Sequence, residues 1–243
     1  MQYPARQPLG TCVIDAVQPL LTDLPEPIQA GYCGPEGAGR GELEQFIRRI
    51  FHEAYGAELP ALYPRLLAFR SAAGIRGAVG LRDGMVRPLF SEQYLDAPAE
   101  GLISSHVGEA VARHQLAEVG NLALAAPGEA RWVIAATTAF LHAAGYRWVL
   151  FTAVRPLFNA FGRLGLNPIM LAAPDPERLP DHGRNWGSYY QAGPRVCAGD
   201  ITAGYRKLSQ HLGAGRPRLQ ALLNEVRGLG LASRCAGGVR EAV

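Results

Sequence analysis

The order of three segments in the middle of the chain constrains its fold more than any other feature. Residues 115–124 read as a strand with Gly120 inside it. Residues 129–144 carry Val133, Thr137, Phe140, Leu141 and Ala144 at helical spacing, so these side chains share one face. Gly145 closes that helix. Trp148–Thr152 is then a continuous apolar run, the pattern of a strand buried on both faces of a sheet. Strand, helix and strand at this spacing predict a right-handed parallel crossover, since parallel neighbours cannot be joined by a tight turn.

The flanking segments extend this centre. In 42–55, Leu43, Phe46, Ile47, Ile50, Phe51 and Tyr55 lie on one helical face, and Gly56 stops the helix. Residues 65–71 and 75–82 flank the turn Ala72-Ala73-Gly74 and predict an antiparallel hairpin, with a second turn at Asp83-Gly84. Residues 89–95 read as helical, followed by a loop over 96–101 and a short helix over about 102–112. Residues 156–164 predict a second covering helix, closed by Gly165, and 168–172 a further strand. The stretch 174–205 reads as loop-rich, with Trp186-Gly-Ser-Tyr-Tyr190 at its centre. Residues 217–229 predict an amphipathic helix with Leu219, Leu222, Leu223, Val226 and Leu229 facing inward, and 232–243 a frayed tail. Three units follow: an extended Pro/Gly-rich arm over 1–40, a domain over 41–210, and the C-terminal helix and tail over 211–243. Gly37, Gly39 and Gly41 precede a helix but lack the Lys-Ser/Thr of a phosphate loop, so they read as a linker.

Composition removes several function classes. Of 243 residues 48% are hydrophobic and 19% charged, with a net charge of +3, which argues against bulk disorder and against a nucleic-acid footprint. A membrane-spanning helix needs about 20 apolar residues, and the charge-free stretch 132–146 is shorter and contains His142. Residues 1–24 lack the continuous apolar core of a secretory signal. Cys12, Cys33, Cys197 and Cys235 are scattered, which suggests reduced thiols in a cytoplasmic protein and no zinc site. No Gly-x-Ser-x-Gly is present, and Cys197, with His182 and His211 distant in sequence, reads as structural.

The order helix, hairpin, strand, helix, strand, helix resembles the GNAT acyltransferase fold. Glu118-Val-Gly-Asn-Leu-Ala-Leu124 is similar to its fourth strand, and Arg163-Leu-Gly-Leu166 to the end of the helix that closes the next unit. Three longer strings are more specific: Leu89–Asp96, Glu118–Ala123 and Trp186–Tyr190. With Phe51–Ala57 they resemble the bacterial thermostable hemolysin family over about residues 43–208. By pattern the family is similar to acyl-homoserine-lactone synthases and N-acyl amino acid synthases. The resemblance implies an α/β (α+β) fold with a GNAT-like mixed, mostly antiparallel sheet. Its central strand pair would be parallel and splayed, with flanking helices.

It also implies an activity: acyl transfer from an acyl-carrier-protein or acyl-CoA thioester to a small amine, without a tightly bound cofactor or metal. Backbone N–H groups near Asn121 and Leu122 would polarise the thioester carbonyl, as an oxyanion hole does. Gly120 fits a bulge opening the splay. Gly120, Leu122, Ala123, Leu124, Arg131, Asn159 and Arg163 are the candidate donor-binding residues, and Gln93, Tyr94, Thr152, Trp186, Tyr189 and Tyr190 the candidate acceptor pocket. Glu118 shares a face with Gly120 and is the candidate base, directly or through water. The alternative for Glu118 is an ion pair with Arg113, Arg131 or Arg155. Glu92 is a second catalytic candidate and Asn121 a third.

Two positions depart from the acetyltransferase pattern. The usual Gly-rich phosphate loop is replaced by Ala126-Pro-Gly-Glu-Ala-Arg131, where Glu129 opposes a pyrophosphate at the helix N-terminus, so a carrier protein is favoured over CoA. Phe161 stands where many such enzymes have a Tyr that protonates the leaving thiolate, which leaves that role vacant or to Tyr189 or Tyr190. Other readings remain: an autoinducer-synthase-like enzyme using S-adenosylmethionine as the amine, or a non-catalytic or membrane-damaging protein.

Overall fold

The computed structural model describes residues 21–86, 88–210 and 215–238. The first twenty residues of the expected arm, Cys12, His211 and the last five residues lie outside them. Among the described residues the strands are β1 (Gln29–Cys33), β2 (Arg65–Ser71), β3 (Gly74–Asp83), β4 (Leu116–Leu124), β5 (Trp148–Ala153), β6 (Ile169–Ala172) and β7 (Arg195–Asp200). The helices are α1 (Arg40–Tyr55), α2 (Ala99–Val107), α3 (Ala130–Ala143), α4 (Arg155–Arg163), α5 (Ile201–Gln210) and α6 (Pro217–Gly238). The strands form one sheet in the order β1-β2-β3-β4-β5-β7-β6. The β4–β5 pair is parallel and every other pair antiparallel. This is the GNAT-like mixed, mostly antiparallel sheet that the resemblance implies, with the parallel pair that the crossover predicts.

Alternation along the strands sends side chains to two faces. Leu67, Phe69, Val79, Leu81 and Ala117 pack against α3, α4, α5 and α6 in the larger core. On the opposite face, Leu66, Ala68, Ala78 and Ala123 pack against α1. Leu116, Trp148, Leu150, Val196 and Ala198 pack there against α2 and the short 3-10 turn Phe90–Tyr94. Glu118 thus emerges between two apolar clusters on the α1 and α2 side.

Three expectations need correction. The arm is not uniformly extended outside the domain: β1 pairs antiparallel with β2 from Gln29↔Arg70 to Cys33↔Leu66, and Leu21, Leu24 and Ile28 are buried. Backbone pairing decides this segment, whose apolar alternation is obscured by Gly31 and flanking prolines. The loop-rich stretch 174–205 contains β7, inserted between β5 and β6, and the start of α5, which follows β7 directly. The tail is not frayed at 232, because α6 runs on to Gly238. Gly230 serves close helix packing instead of ending the helix. A Cβ on Gly230 would stand 2.4 Å from the Phe140 carbonyl oxygen of α3.

Candidate active site

The β4–β5 ladder stops halfway. Its register runs from Leu116↔Trp148 to Val119↔Phe151, yet β4 continues along β3 to Leu124 and β5 along β7 to Ala153. Gly120–Leu124 and Thr152–Ala153 therefore face each other across an opening. A bulge on β4 opens it. Between the pairs Ala78↔Ala123 and Gly80↔Gly120, β4 holds one residue more than β3. The bulged residue is Asn121, in the left-handed region at φ 49°, a conformation Asn tolerates better than most side chains. Gly120 was the expected bulge residue, and it has a different task. The extra residue also shifts the alternation by one, so Leu122 and Leu124 turn to the α3 side and Ala123 to the α1 side.

Gly80 and Gly120 are registered partners, and the Tyr63 side chain lies across both. A Cβ on Gly80 would stand 2.9 Å from Tyr63 Cβ, and one on Gly120 2.7 Å from Tyr63 Cζ. The Tyr63 N–H donates to Asn121 Oδ1 at 2.8 Å, tying this ring to the bulge. The Arg82 guanidinium stacks over the ring at 4.7 Å. Tyr63 was not a sequence candidate. Its signal was the pair of glycines inside adjacent strands, which leaves a slot for one large side chain.

Glu118 sits beneath this arrangement with 0% exposure. The Phe90 N–H donates to its Oε2 at 2.9 Å and the Ser91 N–H to Oε1 at 2.6 Å. These N–H groups open the 3-10 turn and have no partner within it. The Ser91 hydroxyl and the Tyr63 phenol also lie near enough to the carboxylate to bear on its ionisation. Burial raises the Glu118 pKa, and the donors and Arg82 hold it back without cancelling the rise. Tyr63 is itself pushed well up, first by burial and then by Glu118. None of the expected arginines pairs with Glu118.

Arg113 instead pairs with Glu92, the second candidate. It donates to both Glu92 oxygens, to Glu100 at 2.8 Å, and to the Gly84 and Val86 carbonyls. Glu92 also accepts the Leu89 N–H at 2.8 Å and the Ala99 N–H at 3.0 Å. Burial opposes its charge, but the Arg113 and backbone bonds win and hold its pKa at about 2. With both oxygens occupied, Glu92 clamps the 3-10 turn that supplies the N–H groups to Glu118. Gln93 bonds back to the Phe90 carbonyl at 3.0 Å within the same turn.

The acceptor-side aromatics do come together. Trp186 contacts Phe51, Phe90, Tyr189 and Tyr190, with ring centroids 5.2–6.5 Å apart. The Tyr94 and Tyr190 hydroxyls share a 2.6 Å hydrogen bond, which occupies the Tyr190 phenol. This loop is pinned to the end of α1, where the Ser188 N–H donates to the Tyr55 carbonyl at 2.8 Å. Gly187 allows the approach, since a Cβ there would stand 2.0 Å from that carbonyl. Thr152 lies on the same face, its hydroxyl 3.2 Å from Ser91 Oγ.

The donor-side residues lie apart from this cluster. Asn159 and Arg163 are exposed on α4, and Phe161 packs on Phe151 at 5.1 Å. At the head of α3, Glu129 pairs with Arg76 and accepts the Ala126 N–H at 3.2 Å. A cavity of about 290 Å³ lies beside it, lined by Asp23, Glu26, Arg76, Glu129 and Arg131 among others. Among the described residues no three His, Cys, Asp or Glu side chains gather as a metal-ligand set.

Sheet order, bulge and half-open parallel pair define a GNAT-like acyltransferase fold. The chain belongs to the thermostable hemolysin family, which matches residues 33–205. Among curated proteins none matches it. Solved structures that share the fold include TofI and FeeM. TofI, in a ternary complex with an inhibitor and MTA, is 19% identical with a TM-score of 0.51 over 73% of this chain and 96% of its own. FeeM, an N-acyl amino acid synthase from uncultured soil microbes, is 12% identical with a TM-score of 0.51 over 76% of this chain and 99% of its own.

Proposed function

We propose that this protein is an acyltransferase that moves an acyl group from a phosphopantetheine thioester to a small amine. The observation that carries this reading is the opening between Gly120–Leu124 and Thr152–Ala153, with a buried carboxylate beneath it. The free edge of β4 would pair with the pantetheine arm as a further strand would. N–H groups at the Asn121 bulge would polarise the thioester carbonyl. The amine then attacks, Glu118 takes its proton, and the thiolate leaves. A carboxyl whose pKa is raised by burial is a stronger base at neutral pH than an exposed one. The N-acyl amino acid synthase activity named for FeeM, on the same fold, supports the reaction class.

Carrier-bound donors suit the head of α3 better than CoA does. Glu129 already accepts the Ala126 N–H there, and its charge is balanced by Arg76, so a pyrophosphate would have to displace or oppose a carboxylate. Arg131, Asn159 and Arg163 remain candidates for the single phosphodiester of a carrier. Such thioesters are made in the cytoplasm, where the protein would work.

The test is thiol release from panels of acyl-carrier protein and acyl-CoA with small amines. Carrier-dependent release that falls by about 10²-fold or more in Glu118→Gln is expected. Release unaffected by that substitution, or none with any donor, would refute the assignment. Methylthioadenosine release from S-adenosylmethionine would identify that acceptor. Leakage of liposomes by pure protein would favour a membrane-damaging role, although among the described residues no helix is long and apolar enough to cross a membrane.

A further inference from the structure

We propose that a second cavity, on the α3 and α6 side of the sheet, binds a small organic carboxylate with an apolar body. The cavity has a volume of about 290 Å³, at the small end of the range for ligand pockets. It lies between the sheet, the end of α3 and the C-terminal half of α6, which contributes Ser233 and Arg234. Its floor is apolar: Leu81 of β3, Ala117 of β4, and Phe140 and Leu141 of α3 all belong to the larger core. Leu81 and Ala117 turn to the face opposite Glu118, and Ala117 is at the start of β4, whereas the opening begins at Gly120. The cavity is therefore separate from the candidate active site.

Around this floor hydrogen-bond donors outnumber acceptors. Arg65 gives one N–H to the Tyr32 hydroxyl oxygen at 3.1 Å, and the rest of its guanidinium has no partner among the described residues. That bond uses the Tyr32 oxygen and leaves its proton to be donated. Arg234 is exposed and rests against Gly145, where a Cβ would stand 3.3 Å from its Cζ. Its guanidinium makes no hydrogen bond or ion pair among the described residues. Asp83 is the one carboxylate in the lining among the described residues, and both its oxygens are occupied. The Tyr146 O–H donates to Oδ2 and the Met85 N–H to Oδ1, each at 2.7 Å. Arg82 also borders the cavity, but its guanidinium is stacked on Tyr63. An anionic oxygen group with an apolar body supplies the missing acceptor and covers the floor. Charge selects a monoanion: counting His114 as neutral, Arg65 and Arg234 exceed Asp83 by one. A carboxylate balances that excess and fits the planar fork of a guanidinium, whereas a phosphate dianion would exceed it.

The probe is octanoate, titrated by calorimetry into wild type, Arg65→Gln, Arg234→Gln and Tyr32→Phe, with octanol and octyl phosphate as comparisons. Saturable binding to wild type is expected. It should weaken about tenfold or more in each arginine variant, and less in Tyr32→Phe. Arg234 is exposed, so its variant keeps the fold even if a thermal melt shows that Arg65→Gln does not. Octanol should bind about tenfold more weakly than octanoate. In proton–nitrogen correlation spectra the amides of Tyr32, Gly145 and Arg234 should shift on binding. Equal affinity in wild type and Arg234→Gln, or equal affinity for octanol and octanoate, leaves only an apolar hollow and overturns the site. Tighter binding of octyl phosphate overturns the choice of a carboxylate. Shifts confined to Gly120–Leu124 and Thr152 place octanoate in the opening, which overturns this site and leaves acyl transfer standing. No saturable binding by wild type overturns the site outright. Because no reaction is involved, that result is independent of thiol release.

Discussion

Replacing Gly120 by Ala puts a methyl group where the Tyr63 ring already lies. The new Cβ would stand 2.7 Å from Tyr63 Cζ and 2.9 Å from its hydroxyl oxygen. Apolar carbons rest about 3.5–4 Å apart, so the overlap is close to an ångström. The ring cannot tip away freely, because its Cβ is against Gly80, its backbone N–H is held by Asn121, and Arg82 covers its face. Overpacking of this kind costs about 1–3 kcal/mol, against about 0.4–1 kcal/mol gained from a less flexible unfolded chain. A net loss of about 1.3 kcal/mol follows, or roughly 3–5 °C in Tm for a protein of this size.

The assay is a double-mutant cycle with Tyr63→Leu, followed by urea and thermal unfolding. Leu keeps apolar volume in the slot but removes the ring atoms that collide. Gly120→Ala should then cost nothing or stabilise slightly, giving a coupling of about 1.3–2 kcal/mol between the positions. An equal cost in both backgrounds would show that Gly120 does not exist to admit Tyr63.

Other outcomes follow from the same geometry. Arg113→Met leaves Glu92 buried without its guanidinium, so stability should fall by about 3–5 kcal/mol and Tm by roughly 6–20 °C in a thermal melt. Glu92 has a folded pKa of about 2, below its usual 4.5, so its contribution to stability is fully present above 4.5. It is lost as pH falls toward 2, and a urea titration across that window should lose less stability in Glu92→Gln than in wild type. Cys197 is fully buried with its thiol pushed up to about 12, whereas Cys235 is exposed. Iodoacetamide at neutral pH should therefore label Cys235 and spare Cys197 in the native protein, as read by mass spectrometry.

The parts of the fold legible in the sequence are those with long, single-period patterns. The six apolar residues of 43–55 make α1, and the hairpin around Ala72-Ala73-Gly74 makes β2 and β3 within a residue or so. β7 escaped because Arg195-Val-Cys-Ala-Gly-Asp200 is short and carries few β-branched side chains, so pairing with both β5 and β6 defines it. β1 escaped for a related reason, being an edge strand of five residues broken by glycine. In the site, Glu118, Thr152 and the Trp186–Tyr190 string were visible because they sit on strands or strings with recognisable patterns. Tyr63 was not, because it comes from the irregular segment Pro60–Pro64 and meets Glu118 only through the tertiary fold. Local spacing cannot report a contact between residues 55 positions apart.

The two acidic candidates show why residue type alone could not assign their roles. Glu92 and Glu118 are bridged by one 3-10 turn, and each accepts backbone N–H groups at its start. Only Glu92 has a guanidinium against both oxygens, which with its backbone bonds outweighs burial and sends its pKa down, while the deeper burial of Glu118 sends its own up. A carboxylate held near 2 is a poor base at neutral pH and a good structural anion; one raised by burial is the reverse. The division is also cooperative. By fixing Glu92, Arg113 fixes the Leu89–Ser91 backbone that feeds two N–H groups to Glu118, so the structural pair positions the candidate catalytic carboxylate. Loss of Arg113 should consequently reduce turnover even at temperatures where the variant remains folded, and Glu92→Gln, which keeps one acceptor oxygen for the Leu89 N–H, should reduce it less.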